Sequence, residues 1–312
     1  MINVLITCQF HENGVKKLKS KGYNVDINYD LNEEGLLEII DKYNILIVRS
    51  NLQIDMEIIN KSINLKVIAR AGTGLDNIDL TSAKEKNIHV INTPSSASDS
   101  VSELVIGLII ILYRKLIESN STLKEGIWDK KEFIWKKKLL VGSNMYGKTI
   151  GILGFGNIGK KLAIKSLALG MKVIVYDIVN IDGRFIERGI IQKNNFFEFL
   201  KELDILSIHV PLTKETEYMI NSKTLKHMKK SAIIINTSRG KVLNLRDLID
   251  SLEKTEIAGA ALDVFEKEPP NPELLKHKNM IVTPHIGSQT FETHENIALN
   301  IVNKIEDIFN LQ

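Results

Sequence analysis

The run TIGILGFGNIGKKLAIKSLALG, residues 149 to 170, changes its periodicity across a glycine-rich turn: a buried-strand pattern leads into Gly154 and a helical one leaves Gly159. Few folds accept that order. Gly154 permits the tight turn, Gly156 lets backbone approach a pyrophosphate, and Gly159 lets the helix pack on the strand. The amides of Asn157 and Ile158 open the helix and are placed to face the anion. Asp177 lies eighteen residues beyond Gly159, at the end of KVIVY, where a carboxylate accepts hydrogen bonds from ribose hydroxyls and repels a 2′-phosphate. No arginine follows it directly, since the chain reads Asp177, Ile178, Val179. The expected cofactor is therefore NAD and not NADP. A lone glycine fingerprint can be a packing turn, but strand, helix and acid together favour the dinucleotide.

The rest of the chain alternates in the same way. INVLIT (2–7), NILIV (44–48), KVIA (66–69) and HVIN (89–92) form a first series of short, β-branched strands with helical stretches between them. TIGIL, KVIVY (172–176), DILSIHV (204–210), AIIIN (232–236), IAGAALDV (257–264) and MIVT (280–283) form a second. That pattern predicts βαβ units and parallel sheets, and six strands complete a dinucleotide fold. At 312 residues there is chain for two domains. A helix is expected from Ser100, with Glu103 at the spacing of a capping box, and its apolar stretch Leu104–Tyr113 is read as buried because ten residues are too few to span a bilayer, which takes about 20. Ile297, Ile301, Ile305 and Ile308 mark a final amphipathic helix over 291–311.

Charge and cysteine content narrow the partners. Lys and Arg number 41 against 38 Asp and Glu, a net charge of +3 that supplies no broad basic field for nucleic acid. Cys8 is the sole cysteine, so neither an internal disulfide nor a multi-thiolate metal site is expected; it reads as buried filler in the first strand. MINVLITCQF lacks the layout of a signal peptide, so the expected location is the cytoplasm, without membrane attachment.

A dehydrogenase acting on a 2-keto acid needs a cation for the carboxylate, a proton donor at the carbonyl oxygen, and a group that keeps that donor protonated. Arg239 in INTSRG, Glu268 in DVFEKEPP and His285 in VTPHIG each follow a strand, where ligands of open parallel sheets bind. Each alone is an ordinary loop residue. Together with GILGFGNIG, RAGTGLDNID (70–79) and NTPSSAS (92–98), however, they make the chain resemble the D-2-hydroxyacid dehydrogenase family nearly end to end. The resemblance implies an α/β protein of two doubly wound, Rossmann-like domains with parallel sheets and an active site in the cleft between them. Residues 1–97 plus 287–312 would form a discontinuous substrate domain, and 98–286 the NAD-binding domain.

By the same resemblance Arg239 holds the substrate carboxylate through its planar fork, His285 gives or takes the proton at the C2 oxygen, and Glu268 bonds the other imidazole nitrogen. Asp263 is expected at the nicotinamide carboxamide, with Val210, Pro211, Thr237, Ser238, Gly287 and Thr73 lining the cofactor. A buried Asp263 capping the next turn is the other reading. Glu268 speaks against the formate-oxidising members, which carry glutamine there.

Arg49, Ser50 and Asn51 after NILIV, and Gly72, Thr73 and Gly74 after KVIA, are placed to meet substrate, although GTG also suits a tight turn. RAGTGLDNID is most similar to the phosphoglycerate branch, so the expected substrate is a phosphorylated 2-hydroxy acid in a reaction that opens serine biosynthesis. Arg49, Arg70 or the lysines at 130, 131 and 136–138 are the cations available to answer the phosphate, although such a lysine run more often forms a solvated face. The alternatives are a hydroxypyruvate or glyoxylate reductase, which would share the catalytic three, and an NADH-sensing corepressor-like protein, which would bind NADH without fast turnover. A homodimer through about 99–145, with Trp128, Phe133 and Trp135, is implied by the family alone. The chain ends at Gln312, just past the closing helix, so a regulatory domain beyond the core is not expected.

Overall fold

The computed structural model describes residues 1–124, 138 and 140–310. The chain divides into two compact units, Met1–Ser98 with Ser288–Gln312, and Asp99–Gly287. Each is a parallel α/β layer structure.

The first unit holds β1 (Asn3–Ile6), β2 (Asn24–Ile27), β3 (Ile45–Val48), β4 (Val67–Arg70) and β5 (His89–Ile91) in the order β2-β1-β3-β4-β5. Side chains along a strand alternate between faces, and both faces here are covered. Val4, Ile6, Ile45 and Ile47 enter one core, while Leu5, Leu46 and Val48 enter the other. The last helix, Phe291–Asn310, seals the first of these with Ile297, Ile301 and Ile305, spaced one turn apart. Gly14, on helix Glu12–Ser20, allows that helix to come close: a Cβ at Gly14 would lie 2.8 Å from Ala298. The order reverses between β1 and β3, which opens a crevice at their carboxyl ends.

The second unit holds β6 (Thr149–Leu153), β7 (Lys172–Tyr176), β8 (Ile191–Gln192), β9 (Ile205–Ile208), β10 (Ile233–Asn236), β11 (Gly259–Leu262) and β12 (Met280–Val282). Their order is β12-β11-β10-β9-β6-β7-β8, all parallel, with the reversal between β6 and β9. Separate cores cover the two faces of this sheet.

Two readings of the first long helix change. It begins at Ser98, not Ser100, and Glu103 meets Lys165 Nζ at 2.9 Å. Only one face is buried, through Val105, Leu108 and Ile109, while Ile110 is exposed. Among the described residues no helix is long and apolar enough to cross a membrane.

Candidate functional site

In the second unit the glycine turn leaves β6 beside the chain leaving β9, at the switch point of the sheet. Gly154 has φ +95°, and a Cβ there would meet His209 and Val210 backbone at 2.8 Å. Gly159 is equally tight, its Cβ falling 2.3 Å from the Gly154 carbonyl oxygen. Around Gly156 a Cβ would meet nothing within 4 Å, so the turn offers open space on the side where a ligand approaches. Gly156 caps helix Asn157–Ala168 without a side chain, leaving the positive helix end to an anion. The Thr237 Oγ1, buried and without a hydrogen-bond partner, lies on the loop after β10. This is the shape and donor set that a dinucleotide needs.

Asp177 follows β7 and is anchored from two sides. Its Oδ2 accepts from the Phe155 amide of the turn at 2.6 Å, and its Oδ1 from the Val179 amide at 2.9 Å. Carboxylate oxygens accept more than one hydrogen bond, so both remain able to take a ribose hydroxyl.

The three residues read as catalytic all lie in this unit. His285 Nδ1 is 2.9 Å from Glu268 Oε2, and Glu268 Oε1 accepts from the Phe265 amide at 3.2 Å, which fixes the carboxylate. His285 itself takes φ +54°, an uncommon backbone for a residue with a Cβ. The loop around it is held by Asp263, fully buried: Oδ1 accepts from Thr283 Oγ1 at 2.6 Å and Ile286 N at 2.8 Å, Oδ2 from Gly287 N at 2.8 Å. Asp263 thus acts on the His285 loop, the capping alternative weighed for it. Gly287 contributes its amide to the same brace.

Arg239 follows β10 with Nη1 donating to the Ser238 carbonyl at 2.8 Å. Asn236 shapes this loop, Nδ2 donating to the Arg239 carbonyl at 3.0 Å while Oδ1 accepts from Ser238 N at 3.1 Å. Ser238 Oγ donates to the Val210 carbonyl, joining the loops after β9 and β10. Gly240 allows the Arg239 loop to touch the segment leading to Glu268, since a Cβ would fall 1.9 Å from Phe265 backbone. Pro211 is exposed just past Val210.

In the first unit a second group gathers at the carboxyl ends of β1, β3 and β4. Arg49 Nη2 donates to Ser288 Oγ at 3.1 Å, and Asn51 Nδ2 to the Thr7 carbonyl at 3.0 Å, tying the loop after β3 to β1. Arg70 folds over Gly72, where a Cβ would collide with Nη1 at 1.7 Å; the glycine of RAGTG is what gives the guanidinium room. Burial pushes the Cys8 thiol up to about 12, with Arg49 and Arg70 pulling the other way, so both cations act on one place. A small cavity there is lined by Gln9, Phe10, Arg49, Ala71, His294 and Ile297. Burial, then Arg49 and His11, push the His294 imidazole down. Ser50 and Thr73 are exposed, Gly74 is half-buried, and the Thr73 carbonyl accepts from Asn92 Nδ2 at 2.6 Å.

Sequence reasoning missed Asn77, whose Nδ2 donates to the Arg49 and Leu52 carbonyls, both at 2.7 Å, and so shapes the Arg49 loop. Its signal was present in LDNID but carried no chemistry of its own. Trp128, Phe133, Trp135 and the lysines at 130, 131, 136 and 137 lie outside the described residues; Lys138 is exposed. On the helix Leu116–Lys124, Leu116, Ile117 and Leu123 expose apolar surface.

Residues 106–287 match the family model described as D-isomer specific 2-hydroxyacid dehydrogenase, NAD binding domain. Over 299 residues the chain is 40% identical to a glyoxylate reductase of Thermococcus litoralis, covering 95% of this chain and 90% of that one. It is 38% identical over 310 residues to a D-3-phosphoglycerate dehydrogenase of Methanocaldococcus jannaschii, covering 99% of this chain but 57% of that one. Among solved structures, the D-lactate dehydrogenase of Aquifex aeolicus complexed with NAD and lactic acid matches with a TM-score of 0.86 at 27% identity, covering 99% of this chain and 95% of that one.

Proposed function

Since the chain belongs to the D-2-hydroxyacid dehydrogenase family, NAD-dependent oxidoreductases, we propose that it interconverts D-3-phosphoglycerate and 3-phosphohydroxypyruvate. The observation that carries the choice of substrate is the pair Arg49 and Arg70 at the carboxyl ends of the adjacent strands β3 and β4, where Val48 pairs with Arg70. One arginine answers a carboxylate; a phosphate monoester, with about two negative charges, calls for more.

The chemistry falls to the second unit. NAD, when bound on the glycine turn, supplies the acceptor or donor of hydride. Arg239 grips the C1 carboxylate with its fork of donors, a geometry lysine lacks. His285, bonded through Nδ1 to Glu268, presents Nε2 as the proton donor to the C2 oxygen in reduction and as the acceptor in oxidation. Glu268 fixes the orientation of the ring through that hydrogen bond. Asp263 positions the loop that carries the histidine.

Replacing Arg70 by glutamine tests the assignment. It should lower kcat/KM for 3-phosphohydroxypyruvate at least about tenfold more than for glyoxylate, the scale of one charge-assisted hydrogen bond. Equal losses for the two acids would refute a phosphate role. They would favour the second reading, a glyoxylate or hydroxypyruvate reductase, which the 40% identity to the Thermococcus litoralis protein supports.

A further inference from the structure

Between β7 and the helical turn Gly183–Ile186 the chain has no regular partner for its amides and carbonyls, and such groups must be satisfied. Three of them are met by one side chain on the edge strand β8. Gln192 Nε2 donates to the Val179 carbonyl at 3.0 Å and to the Asp177 carbonyl at 3.4 Å, while Gln192 Oε1 accepts from the Ile181 amide at 2.9 Å. The same segment is tied to the glycine turn twice more. Asp177 Oδ2 holds the Phe155 amide, and the Phe185 ring meets Phe155 edge-on with centroids 5.0 Å apart. The first arginine after Asp177, Arg184, is turned onto Asp182, Nη2 to Oδ2 at 2.7 Å and Nε to Oδ1 at 3.0 Å.

We propose that Gln192 is the positioning residue for Asp177, clamping the segment 177–181 so that the carboxylate stays on the glycine turn and the site takes a ribose with a free 2′-hydroxyl while rejecting a 2′-phosphate. The inference rests on Asp177 as the ribose contact. Its logic is geometric. Ile178 and Val179 are exposed; Ile181 packs on the core and the Asp177 carboxylate bonds the Phe155 and Val179 amides, and the bonds from Gln192 add three further restraints on the loop backbone between them. Released, Asp177 turns toward solvent, the repulsion of a 2′-phosphate weakens, and Arg184 is the nearest arginine in sequence to receive it.

Calorimetric titration of the purified protein with NAD, NADP and ADP-ribose tests this. Gln192→Met keeps length without hydrogen bonds, and Gln192→Glu keeps the acceptor for Ile181 but loses both donors. Each should weaken NAD and ADP-ribose about tenfold, from the loss of two or three hydrogen bonds of modest net worth. Each should also narrow the NAD-to-NADP affinity ratio and leave kcat at saturating cofactor within about twofold. Wild-type affinity for ADP-ribose in both variants, or equal losses for NAD and NADP, would overturn the proposal. Asp177→Ala separates the two levels: an unchanged NAD-to-NADP ratio in that variant would sink the ribose reading itself, whereas a collapsed ratio there with unaltered Gln192 variants would sink only the clamp.

Discussion

His285 is held by its neighbours more than by its own preferences. A left-handed backbone at a non-glycine residue costs on the order of 1 kcal/mol or more, and here it persists because Asp263 binds the next two amides and Glu268 the ring. If the ring transfers the proton and Arg239 holds the carboxylate, His285→Ala and Arg239→Ala should each lower turnover by about 100-fold or more. Glu268→Gln, which keeps the length of the side chain but withdraws its charge, should leave NADH binding intact and lower turnover in keto-acid reduction by about tenfold or more, because the ring that donates the proton loses its partner. Steady-state rates check both, and wild-type turnover in Glu268→Gln would count against the pairing. Arg239, Glu268 and His285 could be picked from the sequence because each sits in a motif immediately after a strand. Gln192 and Asn77 could not, since they act by bonding carbonyls 13 to 28 residues away, and nothing local marks a glutamine or asparagine for that work.

Apolar runs marked ten of the twelve strands among the described residues, most of them buried on both faces. The two missed, β2 and β8, are edge strands: β2 alternates Asn24, Val25, Asp26, Ile27 with Val25 alone half-buried, and β8 is two residues long. The helix Ser98–Arg114 starts two residues before the expected Ser100, because Ser98, Asp99 and Ser100 are all capping residue types and the sequence does not separate them. The end of β9 carries a feature of its own. His209 bonds Ser207 Oγ through Nε2 at 2.7 Å, while its Nδ1 is buried without a partner, and burial drops the imidazole from 6.5 to about 3. The unfolded chain therefore binds a proton below pH 6.5 that the folded chain refuses, so stability is full above 6.5 and declines as pH falls toward 3. Between pH 7 and pH 5 this site should cost about 2 kcal/mol of unfolding free energy, absent in His209→Gln. Urea unfolding at the two pH values checks it; an equal loss in both proteins would contradict it.

Each sheet reverses its strand order once, and each reversal coincides with a cluster of polar strand ends: the glycine turn and the loop after β9 in one unit, the Thr7 and Arg49–Asn51 segments in the other. Parallel sheets open their ligand sites at such points, which is why alternating strands and helices already told where chemistry would gather. In the proposed reading, the choice between a phosphorylated and an unphosphorylated acid turns on Arg49 and Arg70. Relatives of nearly equal similarity carry different names, one acting on glyoxylate and one on phosphoglycerate. The measurement that decides is the NADH absorbance assay run in parallel with 3-phosphohydroxypyruvate, hydroxypyruvate, glyoxylate and 2-oxoglutarate, compared as kcat/KM. A preference of at least about tenfold for the phosphorylated acid is predicted from the pair Arg49 and Arg70 beyond Arg239; equal or better use of hydroxypyruvate or glyoxylate would contradict it.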